Sequence, residues 1–100
     1  MMGMSTVSLL TNHAEALLCV ARTPGMRIRD VAECVGVTER AAHRIICELE
    51  AEGYLTRHRV GRRNFYEIHP NLSASQKADP TVTVGSLLGA LLPSRHHEAA

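Results

Sequence analysis

A chain of 100 residues, 45% apolar and 21% charged, is long enough for one domain with one core, and its composition is neither that of a disordered chain nor that of a fibre. No apolar stretch approaches the roughly 18 residues that span a bilayer, which excludes an integral helical membrane protein. The net charge of +1 points to no partner by itself, but it is unevenly spread: 54–66 holds Arg57, Arg59, Arg62 and Arg63 without an acid, so this window carries +4 and the remainder −3.

In chain order, no basic residue precedes Leu9 and Leu10, which argues against a secretory signal and for a cytoplasmic chain. Leu10, Ala14, Leu17, Leu18 and Ala21 then recur at helical spacing behind a Thr11 N-cap, predicting a helix over 12–22 that Pro24-Gly25 stops. The short run 26–28 reads as a bridging strand. A two-turn helix follows over 30–35, with Val31, Ala32 and Val35 apolar, ended by Gly36.

Thr38 caps a third helix over about 39–52, closed by Gly53. Its inner stripe is Ala42, Ile45, Ile46 and Leu49; its outer stripe is Arg40, His43, Arg44 and Cys47. Two β-prone runs, 54–60 and 64–69, are joined through Gly61-Arg62-Arg63 as a hairpin, with Leu55, Tyr66 and Ile68 the expected inward residues. A polar stretch over 70–81 reads as a linker. Val84, Leu87, Leu88, Leu91 and Leu92 then form an apolar stripe on a short helix within 82–93, and 94–100 reads as a disordered tail. Five such side chains, at about 1.5–3 kcal/mol each, are too costly to leave in water. The helix either folds back on its own domain or pairs with a second copy, and Gly85 and Gly89, four apart, favour the close approach of a partner helix.

A short helix, a glycine turn and a capped second helix are the parts of a helix-turn-helix. In such a motif the N-terminal end of the second helix meets the major groove. Thr38, Arg40, His43 and Arg44 are therefore the candidate base and phosphate contacts. Arg57, Arg59, Arg62, Arg63 and Asn64 follow on the hairpin, where guanidinium forks suit the flanking backbone or a minor groove.

The order helix, short strand, helix, second helix, basic hairpin, and above all the stretch from Ile45 through Leu49 to Glu52-Gly-Tyr-Leu55, resembles the winged helix-turn-helix of bacterial transcription regulators of the ArsR/MarR type. That resemblance, spanning 10–69, implies an α+β, mostly helical fold with a two- to three-stranded antiparallel wing. It also implies a homodimer that binds double-stranded DNA, with terminal helices forming the dimer contact. The winged domain would then be 1–69 and the 82–93 helix a dimerisation element. The paired cysteines of metal-sensing ArsR members are absent, so no metal or other cofactor is expected. The chain is also shorter than MarR proteins in its flanking helices, and no effector is implied.

Competing readings are weighed by residue. Winged helices also serve as protein-docking or dimerisation modules, but these have no general need of an acid-free hairpin. An enzyme needs a nucleophile with a base or two converging carboxylates, and Glu48 and Glu52 are only like charges one turn apart on a solvated helix face. Three cysteines, neither an even set nor a C-x-x-C pair, predict a reduced chain in which Cys19 and Cys34 are packed core thiols. Cys47, on the outer face of the third helix near Arg44, is the one thiol placed for redox tuning, and a purely structural role is the expected one. His69 with His96-His97 is not expected to hold a metal.

Overall fold

In a computed structural model, which describes residues 9–75 and 77–92, the element order is α1 (Asn12–Arg22), α2 (Ile28–Val35), α3 (Glu39–Ala51), β1 (Leu55–Val60), β2 (Arg63–Ile68) and α4 (Val84–Leu91). The Thr11 side chain caps α1 by accepting from the Ala14 amide, and Thr38 caps α3 by accepting from that of Ala41. The buried face of α1 is Ala16, Leu17, Cys19 and Val20. The expected residues Ala14, Leu18 and Ala21 are half-buried at its margins, because α2, α3, α4 and β2 all touch α1 and widen the arc it buries. On α3 the expected stripe of Ala42, Ile45, Ile46 and Leu49 is buried.

The short strand expected over 26–28 does not form. Arg27 is the extended N-cap of α2, its amide donating to the Asp30 carboxylate at 3.3 Å, and Ile28 is already helical. The chain just before it touches the hairpin through a single backbone–backbone hydrogen bond, from the Tyr66 amide to the Pro24 carbonyl. The sheet therefore has two strands, β1 and β2, antiparallel with Leu55 opposite Ile68, Arg57 opposite Tyr66 and Arg59 opposite Asn64. Gly61 takes the first turn position at φ +62°, a conformation that suits the twist of a two-residue hairpin and that glycine adopts without strain. Alternation puts Leu55, Arg57, Arg59, Asn64, Tyr66 and Ile68 on one face of this wing. Leu55 and Tyr66 are buried there, and Phe65, on the opposite face, is 39% exposed.

The stretch read as a linker folds back. The Val84 amide donates to the Leu72 carbonyl, the Gly85 amide to Pro70 and the Ala74 amide to Val82, and Ser73 bridges Thr83 in antiparallel fashion. Gly85 lies so close to Pro70 that a Cβ there would come within 2.9 Å of the Pro70 Cβ, so only glycine fits. α4 then sets Val84 and Leu88 into the same core as α1 and α3, while Leu91 remains 41% exposed.

The cysteines depart from expectation. Cys19 and Cys34 form a disulfide between α1 and α2, with Cα atoms 6.4 Å apart. Cys19 is buried, but Cys34 is exposed and is no core thiol. A parity argument on three cysteines fails because the odd one, Cys47, stands apart on α3, and because the pairing depends on a helix crossing that spacing along the chain does not encode.

Candidate nucleic-acid interface

The capped N-terminal half of α3 presents Thr38, Arg40, Ala41, His43 and Arg44 around one shallow surface depression. Thr38, Arg40, His43 and Arg44 are exposed, because the buried stripe of Ala42, Ile45 and Ile46 pins the opposite side of the helix. Among the described residues Arg40 has no ion-pair partner. Arg44 meets Glu48 one turn later at 3.5 Å and keeps 62% of its side chain exposed.

Toward its C-terminal end α3 changes character. Glu48 accepts from His13 of α1 at 2.7 Å. That hydrogen bond first holds the Glu48 carboxyl below its ordinary value of 4.5, against the desolvation that raises it, and the Arg44 charge adds to the lowering. Glu50 accepts from the Arg57 guanidinium at 2.8 Å, crossing from helix to wing. This bond raises the Arg57 guanidinium above its ordinary value against the desolvation that lowers it, and the Cys47 sulfur lies 3.8 Å from the same nitrogen. His43 ring nitrogens lie 3.7 and 3.8 Å from that sulfur. The structure thus turns Arg57 toward the protein, whereas the sequence grouped it with the hairpin's other arginines.

At the wing tip, Arg59 curls over the turn and donates to the Gly61 carbonyl at 3.3 Å. Arg62 is exposed, with no ion-pair partner among the described residues, and Arg63 donates to the Gly25 carbonyl at 2.7 Å. Arg62, Arg63 and Asn64 share a recess with Arg27 at the start of α2. Arg27 escaped the sequence reading because it is separated from the hairpin by the whole of α2 and α3. Tyr66, whose buried hydroxyl has no hydrogen-bond partner among the described residues, borders the same recess, and burial raises its phenol above the ordinary value of 10.0. On the outer face of the wing His58 pairs with Glu67 at 2.8 Å.

The candidate residues therefore fall into two exposed cationic groups, one on α3 and one at the wing tip and α2 start, with Arg57 set between helix and wing. His13, Glu48 and Glu50 are the partners that sequence spacing did not reveal. No group of three metal-ligating side chains occurs among the described residues; His69 is engaged with Thr56, and His96 and His97 lie outside the described residues. No helix among them is long and apolar enough to cross a membrane.

Three helices, a two-stranded wing and a helix beyond it, with the third helix capped and exposed along its N-terminal half, make a winged helix-turn-helix fold, α+β and mostly helical. No family model and no curated protein matches the chain by sequence. Among solved structures it is similar to the PcaV transcriptional regulator from Streptomyces coelicolor, crystallised in complex with its natural ligand, at 18% identity and a TM-score of 0.54 over 90% of this chain and 67% of that one. It is also similar to a cysteine-to-serine mutant of ZitR from Lactococcus lactis, at 17% identity and a TM-score of 0.47 over 98% of this chain and 73% of that one. At such identities the likeness is one of fold: the chain shares its winged-helix fold with the PcaV transcriptional regulator.

Proposed function

We propose that the protein is a sequence-specific, double-stranded DNA-binding transcription regulator that performs no chemistry and works as a homodimer in the cytoplasm, beside the chromosome. The observation that carries the reading is the electrostatic layout of α3: Arg40, His43 and Arg44 stand exposed on the half that enters a major groove in this fold, and every acid that reaches a cation of this surface lies a turn or more further along. In this reading Arg44 and Arg40 meet base edges. Thr38, Arg59, Arg62, Arg63 and Asn64 meet phosphates or the minor groove, and Arg57 aims the wing through Glu50. The exposed apolar Leu91, with Leu72 and Val82 beside the entry to α4, supplies the face for a second copy.

The test is selection of bound sequences from a random duplex library, followed by salt titrations on the selected site and on random duplex. A phosphate contact is blind to sequence and releases a counterion. Arg62→Ala should therefore weaken both duplexes about equally and lower the slope of log affinity against log salt by roughly 1 per half-site. A dimer should select half-sites about one helical turn, roughly 10 base pairs, apart. If Arg62→Ala and Arg63→Ala bind both duplexes like the unaltered protein with unchanged slopes, the wing is off the DNA and a protein-docking role replaces this one.

A further inference from the structure

The disulfide between Cys19 and Cys34 closes a ring over a sequence separation of 15, and this ring contains the corner on which the wing rests. Within it the Pro24 carbonyl accepts from the Tyr66 amide at 3.1 Å, and the Gly25 carbonyl accepts from Arg63 at 2.7 Å. The contact is close: a Cβ added to Gly25 would come within 3.1 Å of the Phe65 ring. The two sulfurs are unequal. Cys19 is 3% exposed, whereas Cys34 is exposed and opens with Arg63 into one shallow surface cavity bordered by Asp30 and Glu33. An attacking thiol can thus reach one sulfur from solvent, directly beside a wing residue, and the other sulfur is the one that leaves.

We propose that Cys19 and Cys34 form a thiol–disulfide switch that sets how firmly the wing is held, with low-molecular-weight thiols and their disulfides as its reactants. In reduction, a small thiolate attacks the Cys34 sulfur and the protein S–S bond breaks. Cys19 leaves as a thiolate that takes a proton from water. A second small thiolate then attacks the small-molecule sulfur of the mixed disulfide, releasing Cys34 as a thiolate that is protonated in turn, and leaving a small-molecule disulfide. Two electrons pass from two small thiols to the protein. Oxidation is the reverse, with the small disulfide as acceptor. Once the ring opens, the α1–α2 corner loses its covalent tie and is held by packing and by hydrogen bonds such as that from the Met26 amide to the Thr23 carbonyl, the Pro24 and Gly25 carbonyls gain freedom, and the wing loses its fixed seat. As far as DNA affinity is concerned the switch rests on the reading above, and it fits the cytoplasmic part of that reading, since disulfides there are usually transient and regulatory.

The experiment uses the full chain, as such and with Cys47→Ser to remove the third thiol, poised in mixtures of reduced and oxidised glutathione. Alkylation and mass spectrometry count thiols, amide hydrogen exchange reports residues 24–26 and 63–66, and binding is measured on the selected duplex. The expected result is reversible interconversion of the two states, Tyr66 amide exchange faster by about tenfold when reduced, and affinity lower by about fivefold, both restored by oxidised glutathione. Cys34→Ser should match the reduced protein and ignore the redox mixture; should it fail to fold, the reversible cycle of the unaltered chain makes the same comparison. The switch is overturned if no disulfide forms, if Tyr66 exchange is the same in both states, or if Cys34→Ser still responds. If neither state binds any duplex while Tyr66 exchange changes, the DNA reading fails and the switch stands. If both states bind the duplex equally with equal exchange, the switch fails and the DNA reading stands.

Discussion

The two ends of α3 put their charged side chains to opposite uses. Arg40, His43 and Arg44 near the N-terminus stay in solvent, whereas Glu48 and Glu50 near the C-terminus are engaged by His13 of α1 and Arg57 of β1. An arginine's job is thus decided by whether a carboxylate on a neighbouring element reaches it. Arg57 and Arg62 are equally cationic neighbours in the hairpin, yet one is an internal strut and the other an open charge. The N-terminal end also has Thr38 satisfying a backbone amide, so its geometry is set by a local cap; the C-terminal end is set by cross-element ties.

The most severe way to break this contrast is to remove what holds both ends at once. Ile46 is fully buried at the middle of α3, so Ile46→Ala should cost about 2–5 kcal/mol in urea unfolding. A cost under about 1 kcal/mol would mean that α3 is not pinned by this stripe. At the open end, Arg44→Ala should cost about 1–3 kcal/mol on the selected duplex and much less on random duplex. Equal losses on both would move Arg44 from base edges to phosphates.

Removing the cap tests the same end from the side of folding. Thr38→Ala should lower stability by about 1 kcal/mol by orphaning the Ala41 amide, read as a lower urea midpoint with an unchanged m-value. Glu50→Gln converts a closed arginine into an open one. Its stability cost should stay within about 1 kcal/mol, since the pair is part-exposed. If the freed Arg57 then reaches a phosphate, the salt slope should steepen by about 1 per half-site; an unchanged slope would keep Arg57 as a strut only.

The smallest effect concerns pH at the closed end. Because the folded Glu48 carboxyl lies below its ordinary 4.5, its contribution is present above that value and is lost as pH falls through the lower folded value. The urea midpoint of the unaltered protein should therefore fall slightly more steeply below pH 4.5 than that of Glu48→Gln. Parallel curves would show that the His13 tie contributes nothing.

Where a signal lies within a few residues, it was legible. Thr11 and Thr38 marked the starts of α1 and α3, Gly61 marked the hairpin turn, and the Ala42/Ile45/Ile46/Leu49 period placed the inner face of α3 correctly. The N-terminal candidates on α3 follow from that phase alone, since residues opposite a buried stripe face solvent. Arg57 did not follow, because its partner Glu50 sits across a helix end and a turn, and nothing in the charge run distinguishes it from Arg62.

Amino-acid order by itself determined the helices, the wing and the side of α3 left open, because caps, turn glycines and apolar periods act through the chain's own local geometry. Only the tertiary structure decided that Cys19 meets Cys34, that the 26–28 run caps a helix instead of joining the sheet, that α4 sets Val84 and Leu88 into the common core, and which arginine is neutralised. Each of these depends on distances of a few ångströms between elements whose crossing the packing of side chains sets, and such distances have no signature in spacing along the chain.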